Sequence, residues 1–446
     1  MDFGSFIFLF RFIPIFFLIY FAVPAAAKNV VLFIGGVAFY AWGQPDAAIL
    51  LVVSVVMDYF AGMNIEWCER RWAKACWLIF GIAVNMIILL HNPVSIMTIP
   101  AGPLVFTLQA ISYLVDVFRG HTKAQTNIVC LGIYVGFFGG LNYGPILRYK
   151  DMEGYLRVRS VDIFAIKKGV LRFIIGLSKK VILADELAKL WMIIREANPQ
   201  DLSTLTAWLG LVAFGFQLYF TISGYSDMAI GLGNILGFDI KENFDYPIEA
   251  SSIGQLWKKW HISLGTWAKD YIYIPLGGSK CSLPRQFVNI LIVWSLVGLW
   301  YGCAIHYLMF GIWFALWISM EKMWLSKLLK KLPAFVGVIY TWFVFLVSLA
   351  FFATDSVMES WEYVQVLFGV YGVGSHDAMA LFEIRNQTFV LLVSFICSTS
   401  WGKQIVKRMQ DSTTGYGIAL YRGLEKLVPA LLLLASIACI AKNYVM

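Results

Sequence analysis

Apolar residues dominate this chain in runs at 6–27, 30–43, 47–63, 75–91, 101–118, 126–147, 205–221, 223–237, 286–301, 303–320, 334–353, 386–400 and 427–445. Short polar segments between them hold most of the charge. The pattern predicts an all-α polytopic protein with about 11–13 transmembrane or re-entrant helices. Several runs fall short of the ~20 residues needed to cross ~30 Å of hydrocarbon. Those predict half-length helices, which survive at membrane depth only inside protein or along a cavity. The first run resembles a signal peptide, but it is long and aromatic, contains Arg11 and leads at once into another apolar run. It therefore predicts a retained first membrane helix.

The polar segments refine the picture. With an external N-terminus, Arg70, Arg71 and Lys74, then Arg119 and Lys123, fall on the cytoplasmic side. Arg148, Lys150, Arg157 and Arg159 share that side only if 126–147 turns back instead of crossing. Residues 165–194 and 251–270 (SSIGQLWKKWHISLGTWAKD) interleave lysines with aromatic and aliphatic residues. They predict amphipathic helices in the headgroup plane, with Trp257 and Trp260 at the membrane surface.

Composition narrows the function. Of 446 residues, 60% are hydrophobic and 14% charged, against about a quarter charged in soluble domains. A soluble enzyme, a disordered chain and a disulfide scaffold are excluded. The net charge of +8 accompanies loop clusters that face anionic lipid, so no nucleic-acid partner is expected. The seven cysteines include no CxxC pair and no metal-ligand spacing, and they read as small apolar residues. No bound metal is expected.

Ionisable residues within apolar sequence are costly and mark candidate sites. Of five histidines, His261 and His306 lie in such surroundings. The segment Ser223, Gly224, Tyr225, Ser226, Asp227 predicts a polar break between two apolar halves, able to face a ligand. Gly231-Leu232-Gly233 completes no dinucleotide fingerprint, and Gly277-Gly278-Ser279-Lys280 is no phosphate-binding loop.

Longer matches carry a resemblance. TLQAISYLVDVFRG (107–120), GPILRYKDM (144–152), GVLRFIIGLSKKVILAD (169–185), SGYSDMAIGLGNILGF (223–238) and ENFDYPIEASSIGQLWKKWHISLGTWAKDYIYIPLGG (242–278) resemble the membrane-bound O-acyltransferase (MBOAT) family. They are most similar to its bacterial alginate O-acetylase branch, with the lipoteichoic-acid D-alanylation acyltransferase as a cousin. The resemblance covers most of the chain and implies one MBOAT membrane domain over 1–446, a ring of helices around a funnelled core. It implies transfer of an acyl group, acetyl above others, from a cytosolic thioester to an extracytoplasmic polysaccharide or envelope polymer. The donor would be acetyl-CoA or an acyl-carrier protein, with no resident cofactor. Membrane lipid and an extracytoplasmic transferase or polymer-synthesis complex are the expected partners, and the inner (plasma) membrane the location.

By the same resemblance, His261 matches a conserved polar position. The invariant catalytic histidine usually follows a Trp, but here GLWYGCAIHYLMFG (298–311) has Tyr301 in its place after Trp300. Thr221 replaces a common Asp. His261, Tyr301 and His306 are the catalytic candidates, and Tyr225, Ser226, Asp227, Trp260 and Trp300 the substrate-binding ones. An imidazole of pKa ~6.5 suits proton removal from a hydroxyl. A phenol of pKa ~10 is a poor base but can donate to an oxyanion. On one continuous helix His306 would lie about 140° around from Tyr301. A catalytically degenerate scaffold is the alternative function. A transporter explains the spans but not the motifs.

Overall fold

The computed structural model describes residues 2–42, 45–91, 102–141, 143–411 and 415–445, and every regular element among them is helical. Among these residues, eight helices are long and apolar enough to cross a membrane. Shorter apolar helices cover Phe8–Ala22, Ala25–Ala41, Pro103–Phe118 and Ile128–Gly140.

Three expected boundaries move, each for a backbone reason. The first helix ends at Ala22, because Val23 is extended before Pro24, as the residue preceding a proline tends to be. The runs 205–221 and 223–237 form one helix of 33 residues, Thr204–Leu236, so the expected break at Ser223–Asp227 is absent. Breaking a helix there would orphan up to four N–H and four C=O groups, which hydrocarbon cannot satisfy. The run beginning at 386 starts earlier, at Ala378, because Asp377 caps it by accepting the Ala380 N–H at 2.7 Å. Ile128–Val135, at eight residues, is too short to cross.

The chain divides into two compact units. One comprises Met1–Leu177, Tyr225–Glu242 and Ile440–Met446, the other Ser178–Gly224 and Asn243–Cys439. In the first unit, Phe8, Phe12, Phe16, Phe39 and Phe138 form an aromatic core with centroids 5.0–5.8 Å apart. Beside it the helices Pro45–Trp67, Arg71–His91 and Gly102–Phe118 pack on one another. Inside that bundle lies a buried polar knot. Asn85 Nδ2 donates to Asp58 Oδ1 (2.8 Å) and to the Gly81 carbonyl (3.0 Å). Ser54 Oγ lies 2.9 Å from both Asn85 Oδ1 and Asp58 Oδ2.

The hydrogens in that knot can be counted. Ser54 has one hydroxyl proton, and it lies between two acceptors, Asn85 Oδ1 and Asp58 Oδ2. Both acceptors sit at the same distance, so the hydroxyl ties the Asp58 and Asn85 side chains together.

In the second unit, the helices Leu283–Tyr301 and Ile305–Met320 form the tightest hairpin. Gly298 and Gly311 allow this approach, because a Cβ on either would collide with a carbonyl of the opposite helix. The helix Ala334–Ala353 packs against the same hairpin.

Asp58→Asn keeps a polar side chain of the same shape against Ser54 and Asn85, so it should leave the thermal midpoint of the detergent-solubilised protein within a few degrees of wild type. Asp58→Leu strands Asn85 and Ser54 and should cost about 1–3 kcal/mol for each orphaned group. A thermal shift followed by size-exclusion chromatography checks both; equal losses in the two variants would contradict hydrogen bonding as what holds the knot.

Candidate functional site

His261 lies in the second unit between two short helices, Ile253–Lys259 and Ile262–Ala268. Its own backbone is left-handed (φ 47°, ψ 53°), a conformation that costs a residue with a Cβ about 1–2 kcal/mol. Such strain persists only where the surroundings impose it, and here they do so from both sides. Asn243, fully buried, caps the helix that follows. Its carbonyl accepts the Ile262 N–H (2.9 Å) and its Oδ1 accepts the Ser263 N–H (3.0 Å). Glu321 caps the helix that precedes, its carboxylate accepting the N–H groups of Ile253 (2.6 Å) and Gly254 (2.9 Å). Tyr340 donates to the same carboxylate at 3.1 Å. Ser252 adds a cap of its own to the Gln255 N–H.

The imidazole is buried. The Trp300 ring meets it edge-on at 6.0 Å, and Phe244 lies at 6.3 Å. Burial penalises the imidazolium and lowers the pKa of His261 to about 4. The ring is therefore a neutral base at physiological pH. Ser263 Oγ lies 3.5 Å from Nδ1.

His261 also forms part of the wall of a cavity of about 550 Å³. Trp257, Trp294, Ile290, Val293 and Val297 give that cavity an apolar lining. Its charged wall residues are Lys258, Lys269 and Lys322, with no carboxylate among them.

The other expected residues sort by unit. Trp260 is buried among Tyr219, Phe244 and Phe345. Trp257 packs on Trp294 and Phe314 at 4.6 and 4.9 Å. Trp260, expected at the membrane surface, is thus covered by protein on its faces, where aromatic burial is worth more than an interfacial position, whereas Trp257 is half-buried and open to the cavity. Tyr301 is buried against Trp300, Phe310 and Phe352, with Trp260 as the hydrogen-bonding neighbour of its hydroxyl. His306 donates from Nδ1 to the Phe351 carbonyl at 3.1 Å. The helix carrying Tyr301 ends at Gly302 and a new one starts at Ile305, so the angle expected for one continuous helix does not apply.

Tyr225, Ser226 and Asp227 belong to the first unit. Tyr225 donates to Asp2 Oδ1 (2.6 Å), Ser226 to the Tyr143 carbonyl (3.4 Å), and Asp227 accepts from Arg172 Nε (2.8 Å). Arg172 also reaches Glu242, and the two carboxylates hold it charged. Among the described residues, no group of three or more His, Cys, Asp or Glu side chains gathers as metal ligands would.

Comparison with known proteins decides the class. The sequence profile described as "MBOAT, membrane-bound O-acyltransferase family" matches residues 36–358. The chain belongs to the membrane-bound O-acyltransferase family. It is 34% identical over 419 residues to the "Probable alginate O-acetylase AlgI" of Pseudomonas aeruginosa, covering 88% of this chain and 80% of that one. It is 28% identical to the peptidoglycan O-acetyltransferase of Helicobacter pylori, over 82% of this chain and 80% of the relative. It is 24% identical to the teichoic acid D-alanyltransferase of Bacillus subtilis, over 55% and 64%. This MBOAT chain is accordingly a multi-pass membrane acyltransferase. His261, Trp300, Tyr301 and His306 all fall within the matched region.

Two residues that shape the turn at His261 were not singled out from sequence. Asn243 sits at the head of the ENFDYP stretch, and Glu321 is an isolated carboxylate closing the apolar run 303–320. Asn243→Ala removes the acceptor of a buried N–H, at about 1–3 kcal/mol, and frees the turn that sets the imidazole. Misplacement of this kind costs on the order of 10²-fold in rate. Initial rates in proteoliposomes should show that loss in kcat with the donor KM nearly unchanged; a change confined to KM would place Asn243 in binding instead.

Proposed function

We propose that this membrane acyltransferase moves an acetyl group from a cytosolic thioester, acetyl-CoA or an acyl-carrier protein, towards the hydroxyls of an extracytoplasmic polysaccharide, with His261 as the base. The observation that carries the reading is a neutral, buried imidazole on the wall of a cavity whose charged wall residues are all lysines. Lysines attract the phosphates of such a donor, and an apolar bore suits the slender arm that bears the thioester. The names of the relatives support the chemical class, since two carry acetyl and one D-alanyl groups to envelope polymers.

In this reading His261 accepts the proton of the attacking hydroxyl as its oxygen bonds to the acyl carbon. The tetrahedral oxyanion collapses, the C–S bond breaks, and the leaving thiolate takes the proton back from the imidazolium. The left-handed turn fixes the ring direction before substrate arrives, which lowers the reorganisation needed in the transition state. A separate extracytoplasmic transferase or polymer-synthesis complex receives the acyl group, and the protein resides in the inner (plasma) membrane.

One observation favours a second reading, a scaffold without chemistry. Tyr301, which stands where the family has its usual histidine, packs into an aromatic cluster with Phe310 and Phe352. Polymer-bound acetyl in cells at matched protein abundance separates the two. His261→Ala should abolish acetylation if His261 is the base. Tyr301→Phe should lower it about 10²-fold if the phenol donates to the oxyanion. Acetylation unchanged in both variants would support the scaffold.

The pH profile gives an independent check. Burial favours the neutral ring, so the base form is available at all pH values above the lowered pKa. The rate in proteoliposomes should stay on its plateau as pH falls through 6.5 and drop only as it approaches the His261 value of about 4. Half-loss near pH 6.5, the ordinary histidine value, would show a solvated imidazole and overturn the assignment.

A further inference from the structure

The helix Trp401–Gln410 has no buried residue, and it lies beyond the region matched by the family profile. At 100° per residue, Trp401, Ile405, Met409 and Val406 fall within one arc of about 140°. Lys403 and Lys407 fall on the opposite arc, and Arg408 sits at its edge, about 20° from Trp401. Trp401, Ile405 and Val406 are 53%, 57% and 47% exposed, so protein covers little of the apolar arc.

The position of this helix identifies what covers it. It follows the membrane-length helix Ala378–Cys397 after three intervening residues, and a second such helix, Tyr421–Lys442, comes after it. Extended chain reaches at most about 3.6 Å per residue, so Trp401 starts within about 14 Å of the end of a membrane span. Both ends are tied down. The Ser400 N–H donates to Glu249 Oε1 at 2.7 Å, and Gln410 Nε2 donates to the Tyr421 hydroxyl at 2.8 Å. The helix is thus held beside the end of a membrane-length helix, with an apolar side and a cationic side. Residues 398–420 carry three cations against the single carboxylate Asp411, a net charge of +2.

We propose that Trp401–Gln410 is an interfacial helix that seats its Trp401/Ile405/Val406/Met409 side among acyl chains and binds anionic lipid headgroups through Lys403, Lys407 and Arg408. Apolar and cationic contacts of this kind act together in interfacial helices. The headgroup part depends on lipid charge, each cation near an anionic surface being worth about fivefold in the seating equilibrium. The assignment is independent of the acyl-transfer chemistry.

The full-length protein tests it. Ile405→Cys and Gln404→Cys, each in a chain with its seven native cysteines replaced by alanine, carry a fluorophore in reconstituted vesicles. Position 405 should be quenched by lipid bearing a shallow nitroxide and position 404 by aqueous iodide. Adding phosphatidylglycerol to phosphatidylcholine vesicles should increase lipid quenching at 405. The increase should vanish in Lys403→Gln/Lys407→Gln/Arg408→Gln, which keeps the helix and its apolar side. Iodide quenching at both positions would overturn the proposal, because the helix would then stand off the bilayer. Protection of 405 from both quenchers would also overturn it, by showing a protein partner on that side. Lipid quenching at 405 that ignores phosphatidylglycerol would overturn the headgroup assignment.

Discussion

Every polar group of the backbone at membrane depth must find its partner within the protein, and this one constraint organises the molecule. It keeps Thr204–Leu236 helical through a serine- and glycine-containing segment that would read as a loop in a soluble chain. It also makes the turn at His261 depend on outside help. A helix that stops and restarts leaves N–H groups without acceptors, and the second unit supplies those acceptors from Asn243 and Glu321. The strained histidine is therefore held by the capping of its neighbours, since its own side chain caps nothing.

The same interior shapes the electrostatics. Burial without a facing carboxylate leaves His261 neutral, which is the state a base needs. The charged side chains of the adjoining cavity are lysines on its wall, where they avoid the full desolvation cost of a buried charge. Charge that must remain inside is paired or hydrogen-bonded, as Arg172 with Asp227 and Glu242, or Glu321 with two backbone amides. Trp300 meanwhile meets the imidazole edge-on and packs in turn against Tyr301.

Much of this was legible along the chain, and the exceptions share a cause. Helix periodicity, span-length runs and the long WKKWHISLG-containing stretch report local preference and family membership directly. The break at Ser223–Asp227 was misread because polar residues signal a loop only if nothing distant satisfies them. Ser226 reaches Tyr143 and Asp227 reaches Arg172, neither of them close in sequence. Trp260 was misread for the converse reason: an amphipathic pattern is the same whether lipid or protein covers the aromatic side.

The sequence by itself determined an all-helical membrane acyltransferase of the MBOAT family, because hydrophobic run length and motif order are one-dimensional properties. Only the tertiary structure decided that His261 occupies a left-handed turn, that Trp300 packs edge-on to its ring, and that His306 is tied to the Phe351 carbonyl. Those facts depend on contacts such as Asn243 to Ser263 and Glu321 to Ile253, which span 20 and 68 residues. Caps made at that separation leave no periodic trace in the chain, and their geometry exists only once the helices have packed.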